Sequence, residues 1–292
     1  MGPRPVAEHM IDQQDTMLRG GTMDVTYYRR FISRALLCLL VVAMGRLAVS
    51  ANADVFNGNV SRKRGVTDGR VAAVLRAGWY YTWYIEPASG TNAEFVPMIA
   101  HGKDANSWYF DRIKKLKAQG KAKVLLGFNE PERGEVSVDD AIRVWPEFEK
   151  TGLRLGSPAP AFDPAGRKWL DEFMTKANAK NLRVDFIALH WYGDVADPKA
   201  AAHFMGWLSE IHNHFRKPVW ITEFAGLNWD WLHHPITAEM NQRFLSDLEP
   251  QLEQTNWVER YNWFNDKPAN LFDDSKTRTL SRLGMIYRDG GR

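Results

Sequence analysis

Ala122-Lys123-Val124-Leu125-Leu126-Gly127-Phe128-Asn129-Glu130-Pro131-Glu132 is apolar on consecutive positions from Val124 to Phe128 and then turns acidic. Consecutive apolar residues suit a strand covered on both faces, as in a parallel sheet lined by helices. Pro131 cannot continue a ladder, so the strand stops before it, with Glu130 at its carboxyl end and Glu132 in the loop beyond. Seven further runs read as strands: Lys63–Val66, Gly78–Trp83, Glu94–Ile99, Arg154–Ser157, Val184–His190, Pro218–Thr222 and Val258–Trp263. Amphipathic stretches at Asn106–Gln119, Asp139–Thr151 and Ala202–Phe215 carry apolar residues at helical spacing between them. Strands separated by helices need crossover connections, so their sheet is parallel. Eight of them imply an α/β fold, a single-domain (β/α)8 barrel over residues 54–292, close to the usual length of about 250 residues. An open doubly wound sheet would read similarly, but no Gly-x-Gly-x-x-Gly follows the first strand and no phosphate loop occurs anywhere.

Residues 1–53 read as an N-terminal extension and secretory signal peptide. Tyr28-Arg29-Arg30-Phe31-Ile32-Ser33-Arg34 is basic, Ala35–Ala43 is unbroken apolar, and Ala51-Asn52-Ala53 is a cleavage motif. The apolar run is too short for a spanning helix of about 20 residues, and Arg46 interrupts its extension. Residues 1–22 exceed an ordinary signal, which Met23 would start. The one cysteine, Cys38, lies inside this segment, so the mature chain needs no disulfide. The expected location is therefore secreted or periplasmic, with no stable membrane association after signal removal. Six basic and four acidic residues fall within the first 53, leaving 32 against 31 in the remainder. That balance, without a long Lys/Arg run, argues against nucleic acid as a partner.

Catalytic residues of such barrels project from the carboxyl ends of strands. The fourth strand ends in Asn129-Glu130, and the seventh in Trp220-Ile221-Thr222-Glu223-Phe224. Two carboxylates on one rim are the minimum equipment for glycoside hydrolysis. At about 5–5.5 Å apart they retain anomeric configuration, and at about 6.5–9.5 Å they invert it. Asn129 is placed to contact a sugar 2-hydroxyl. The sixth strand ends in His190-Trp191-Tyr192, offering an imidazole for a hydroxyl and a phenol that orients a carboxylate. Trp263 ends the eighth and offers a flat face to a pyranose. The mechanism asks for an ionised nucleophile and an acid held protonated by the other's charge and by burial. Tyr81 and Trp83, nearest the end of the second strand, are cleft candidates, and Trp229 and Trp231 in the loop after the seventh suggest a sugar platform.

Lys63-Arg64-Gly65-Val66, Trp79-Tyr80-Tyr81-Thr82-Trp83, Glu94-Phe95-Val96-Pro97-Met98, Leu126–Glu132, Ala188–Gly193, Trp220–Phe224 and Arg260–Phe264, in this order, resemble glycoside hydrolase family 128 from about Lys63 to Tyr287. The resemblance implies a retaining (β/α)8 enzyme acting on β-1,3-glucans, with Glu130 as acid/base and Glu223 as nucleophile. Asn129, His190, Tyr192 and Trp263 would then surround the sugar under attack. Thr82, where the family often has Asn, and Ile99-Ala100-His101, in place of a Trp-Gly ending, are departures. An endo-acting hydrolase is the expectation. Action on another β-glycan and glucan binding without hydrolysis are the alternatives. The expected partner is β-glucan oligo- and polysaccharide, bound by a monomer. No cofactor is expected, and no metal: His212 with His214, and His233 with His234, fit no helical ligand spacing.

Overall fold

Eight parallel strands close on themselves in sequence order: β1 (Ser61–Val66), β2 (Ala77–Tyr80), β3 (Glu94–Phe95), β4 (Val124–Leu125), β5 (Arg154–Leu155), β6 (Ile187–Gly193), β7 (Val219–Gly226) and β8 (Val258–Trp263). The structure is a computed structural model that describes residues 60–227 and 235–291. Six of the strands form one sheet in the order β3-β2-β1-β8-β7-β6, and β4 pairs with β5. Parallel bridges Met98 to Leu126 and Gly156 to Phe186 complete the circle. Their bonds are ordinary: Leu126 N–H donates to Pro97 O at 3.0 Å and Ser157 N–H to Phe186 O at 3.0 Å. A closed sheet leaves no strand edge among these eight.

Six α-helices cover the barrel: α1 (Ser107–Ala118), α2 (Val138–Lys150), α3 (Pro164–Ala179), α4 (Ala200–Phe215), α5 (Ala238–Gln254) and α6 (Arg282–Asp289). The full set of eight expected for the barrel is not reached among the described residues. Only ten residues link β1 to β2, enough for a 3-10 turn at Gly69–Val71. The link from β2 to β3 carries Pro87 and Gly90, which disfavour a helix. Where helices do form, their starts are written locally. Asn106, Ser137, Asp163, Thr237 and Ser281 each accept a backbone N–H of the following first turn. In α2 the buried face is Val138, Ala141, Ile142, Trp145 and Phe148, one stripe of a 3.6-residue period.

Strand alternation divides the core in two. Val124 and Leu126 join Trp79, Tyr81, Val96, Met98, Phe186, Ala188 and Trp220 in the barrel interior. Leu125, Ile187 and Leu189 pack outward against the helices. At the amino ends of the strands the interior closes with charge. Arg260 lies 4.3 Å from the Trp220 ring centroid and bonds Glu94 at 2.6 Å, and Arg154 bonds Glu259 at 2.6 Å. Between β1, β8 and the last two helices, Arg64 Nε donates to Glu249 at 2.8 Å, and the Tyr261 hydroxyl donates to the same oxygen at 2.7 Å.

Candidate active site

Strict alternation along β7 would turn Glu223 outward, because Trp220 faces the interior and Ile221 the helices. The pairing with β6 shows why it does not. Leu189 pairs with Ile221 and His190 with Glu223, so Thr222 is an extra residue. The register against β8 shifts at the same place, from Ile221–Tyr261 to Phe224–Trp263. This bulge resets the phase and aims Glu223 into the barrel mouth, while Phe224 packs outside. The strand continues to Gly226, past the Thr222 end expected from sequence, and Glu223 is almost wholly buried.

Glu130 arrives by a different device. Its N–H donates to Ala159 O at 2.8 Å, and the preceding Asn129 N–H donates to Ala100 O at 3.0 Å, which seats it between the third and fifth strands. Its backbone is left-handed, φ 39° and ψ 54°, a conformation that costs a non-glycine residue of order 1–2 kcal/mol. It opens the short 3-10 turn Pro131–Arg133. Glu132, inside that turn, accepts Ala161 N–H at 3.0 Å and is a structural carboxylate.

Donors converge on Glu223. The Tyr81 hydroxyl and Trp83 Nε1–H both reach Oε1, at 2.9 and 2.8 Å, and the Tyr192 hydroxyl reaches Oε2. Trp83 is itself held at φ 57°, uncommon for a bulky residue. Burial, followed by the charge of Glu223, pushes both phenols well above their ordinary range, so they remain neutral donors. Between the two carboxylates lies one imidazole. His190 has no exposed side-chain surface; its Nδ1 is 3.0 Å from Glu130 Oε1, and its Nε2 is 3.4 Å from Glu223 Oε1. Arg133 sits over Glu130 at 3.9 Å and is tied to Asp163 at 3.0 Å.

The protonation pattern departs from expectation. Burial pushes Glu130 up, but the hydrogen bond and charge of His190, with Arg133, outweigh it and hold the carboxyl below its ordinary range. Burial pushes His190 down, but the charges of Glu223, Glu130 and Glu132 outweigh it and raise the imidazole above its ordinary range. The proton expected on Glu130 is drawn toward His190.

Residues 64–287 match the family model described as a glycosyl hydrolase catalytic core. A glycoside hydrolase family 128, subgroup I, endo-β-1,3-glucanase from Amycolatopsis mediterranei, solved with laminaripentaose, has a TM-score of 0.69 and 32% identity, covering 79% of this chain and 100% of that one. The chain belongs to glycoside hydrolase family 128. Another family 128 enzyme, a subgroup II endo-β-1,3-glucanase from Sorangium cellulosum, has a TM-score of 0.66 and 27% identity, covering 78% of this chain and 98% of that one. Alkali-sensitive linkage protein 1 of Schizosaccharomyces pombe (strain 972) is 30% identical over 224 residues, 72% of this chain, which spans 39% of that protein's length.

Within this family 128 chain the residues singled out from sequence separate into three groups. Glu130, Glu223, His190, Tyr81, Trp83 and Tyr192 meet around one point. Half-buried Asn129 stands beside them, its buried Oδ1 making no hydrogen bond. Trp191 and Trp263 do not join them. Trp191 stacks on Phe244 at 5.2 Å outside the barrel. Trp263 is 1% exposed, packs on Phe224, and donates to Ala269 O at 2.8 Å, so no sugar can stack on it. Both corrections have one cause: along a strand Trp191 must point away from His190 and Tyr192, and Trp263 away from inward Asn262. His190 and Tyr81 are also almost wholly buried. Trp229 and Trp231 lie outside the described residues. Sequence reasoning missed Arg133, Asp163 and Asn262, whose Nδ2 donates to Thr222 O at 2.9 Å at the bulge. Alternation back from Trp263 would have found Asn262; nothing local marks the other two. Among the described residues no group of His, Cys, Asp and Glu is placed to hold a metal ion.

Proposed function

We propose that this chain is a secreted, monomeric, retaining endo-β-1,3-glucanase. The observation that carries the reading is the approach of Glu130 and Glu223 to the same buried imidazole, at 3.0 and 3.4 Å, on the carboxyl rim of strands four and seven. Two carboxylates that both approach one ring, the second without a hydrogen bond to Nε2, can flank one glycosidic bond. Glu130 protonates the leaving oxygen while Glu223 attacks the anomeric carbon; Glu130 then deprotonates the water that releases Glu223. Tyr81, Trp83 and Tyr192 fix the direction of attack by occupying the other lone pairs of Glu223. The β-1,3 linkage is supported by relatives described as endo-β-1,3-glucanases, one of them 32% identical.

Reducing ends should appear when the purified protein meets laminarin, and the first product should be the β-anomer by NMR. An α-product contradicts the two-step scheme. Glu223→Gln should lower turnover at least about 10³-fold while leaving oligosaccharide binding and the melting temperature nearly intact. Ordinary activity in that variant removes the nucleophile assignment, and binding without hydrolysis by the unaltered protein makes it a glucan-binding module. Export is supported by the basic, apolar and Ala-x-Ala order of residues 28–53; protein recovered from the medium should begin at Asp54, and an intact Met1 contradicts cleavage. Sedimentation should give the mass of one chain.

A further inference from the structure

Among the described residues His190 is the one group within 3.4 Å of both carboxylates, and the hydrolytic scheme assigns it no chemistry. The trio Glu130, His190 and Glu223 holds one mobile proton between the first two. With the proton on Nδ1, an imidazolium faces a carboxylate at 3.0 Å and another at 3.4 Å. With the proton on Glu130, a neutral ring accepts it at Nδ1 and keeps Nε2–H toward Glu223. The two arrangements differ by a shift along one hydrogen bond, and both carry a net charge of −1. A neutral ring with its hydrogen on Nδ1 is the poor alternative, since it aims the Nε2 lone pair at the Glu223 carboxylate. We propose that His190 stores the catalytic proton in the resting enzyme and hands it to Glu130 as the glycosidic oxygen arrives.

This proposal rests on the retaining reading and deepens it. In the first step Glu130 O–H gives its proton to the leaving oxygen as the C–O bond to the aglycone breaks. That proton is the one His190 Nδ1 has handed to Glu130, so a single proton passes from the ring through the carboxyl to the leaving oxygen. Glu223 forms a glycosyl ester and becomes neutral, so the imidazolium loses the counter-charge at Nε2 when its proton must leave. After the step Glu130 is the carboxylate, His190 is neutral, and the charge is still −1. In the second step Glu130 removes a proton from water, the hydroxyl oxygen bonds the anomeric carbon, and the ester oxygen departs with its electron pair as the Glu223 carboxylate. That restored charge draws the proton back to His190. Constant net charge through both steps avoids creating uncompensated charge in a buried site.

The groups facing the imidazole fit this role. Glu130 lies beyond β4, with Glu132 in the turn after it. Glu223 faces it from β7, Tyr192 from its own strand at 6.4 Å between ring centroids, and Tyr81 reaches Glu223 from beyond β2. Arg133 reaches Glu132 at 3.5 Å and Glu130 at 3.9 Å, and Asp163 is tied to Arg133 at 3.0 Å. Burial alone would favour a neutral ring, yet the surrounding carboxylates raise the imidazole while Glu130 is held low.

Two measurements test it. In His190→Gln the proton has one site fewer, so the basic limb of kcat/KM on laminari-oligosaccharides should move down by about one pH unit or more. Oligosaccharide turnover should fall within the range of about 10²–10⁴ typical of lost acid–base function. The burst with a 2,4-dinitrophenyl β-glycoside, whose leaving group needs no proton, should persist. An unmoved limb with equal losses on both substrates makes His190 a structural spacer and overturns the proposal. The unaltered protein supplies the second readout. ¹⁵N-labelled His190 should be doubly protonated at rest and neutral once a 2-deoxy-2-fluoro glycoside has esterified Glu223; a neutral resting ring, or an imidazolium after trapping, overturns it. Glu130→Ala separates the two readings. If that variant still hydrolyses oligosaccharides at an ordinary rate, the acid/base assignment itself falls.

Discussion

Two regions of this barrel bury a glutamate under tyrosine hydroxyls, and they differ in the cation beside it. Beneath the catalytic rim, Glu249 meets Arg64 at 2.8 Å and the Tyr261 hydroxyl at 2.7 Å, with the carboxylate fully covered. At the rim, Glu223 meets two phenols and an indole, and the cation within reach is an imidazole shared with Glu130. A guanidinium keeps its protons throughout the working pH range. The first region's cation therefore stays charged and holds strands to helices at every working pH. An imidazole titrates near neutrality, so the second can move a proton without moving a side chain. The same fold thus separates holding from reacting through the choice of one base.

The contrast can be broken from the static side first. Arg64→Met leaves Glu249 without its cation and should cost about 3–5 kcal/mol in chemical denaturation. The loss should be greater near about pH 8 than near about pH 5, because the carboxyl must then ionise uncompensated. Equal losses at both would mean that Glu249 is already neutral beside Arg64. Glu249→Gln sharpens the same point. Burial outweighs Arg64 and Tyr261 and pushes Glu249 up to about 7, from 4.5 for an unperturbed group. Between these values the folded protein binds more proton than the unfolded chain, so this group's stabilising contribution is full below about 4.5 and lost as pH rises through about 7. Relative to the unaltered protein, the variant should gain up to about 3 kcal/mol across that window, and parallel stability curves would refute it.

On the reactive side, Tyr192→Phe removes one donor from Glu223, and kcat should fall about 10- to 100-fold with KM little changed. A change confined to KM would instead make the phenol a sugar contact. Trp263→Phe should have the smallest effect. It removes a packed indole and its bond to Ala269 O, costing about 1–2 kcal/mol in stability, while kcat and KM stay unchanged. A raised KM would return Trp263 to the sugar site.

Much of this architecture was legible in the chain. The eight strand-like runs locate all eight strands, and the polar residues that end two of them locate Glu130 and Glu223. What was lost was the direction of each side chain. Composition marks Trp191, Trp263, Trp83 and Tyr81 alike as aromatics near strand ends, yet two face helices and two hold Glu223. Direction depends on register with neighbouring strands, a long-range property that a run of residues does not encode. Protonation was lost for a similar reason. Mutual repulsion between two acids argued for a protonated Glu130, whereas the ring between them changes the sign. The missing early helices follow from the short link after β1 and from Pro87 and Gly90 after β2, which the chain does state.

The extra residue at Thr222 makes the aim of Glu223 a matter of counting rather than of chemistry. Substitution scans along β7 will see an ordinary buried strand, because no side chain there creates the aim. Straightening the strand with Thr222 kept in regular pairing would present the Glu223 carboxylate to the helix layer, exchanging places with Phe224, whereas deleting Thr222 would restore even spacing with Glu223 still facing inward. Transplanting this site to another barrel therefore demands the spacing of the strand as well as its glutamate.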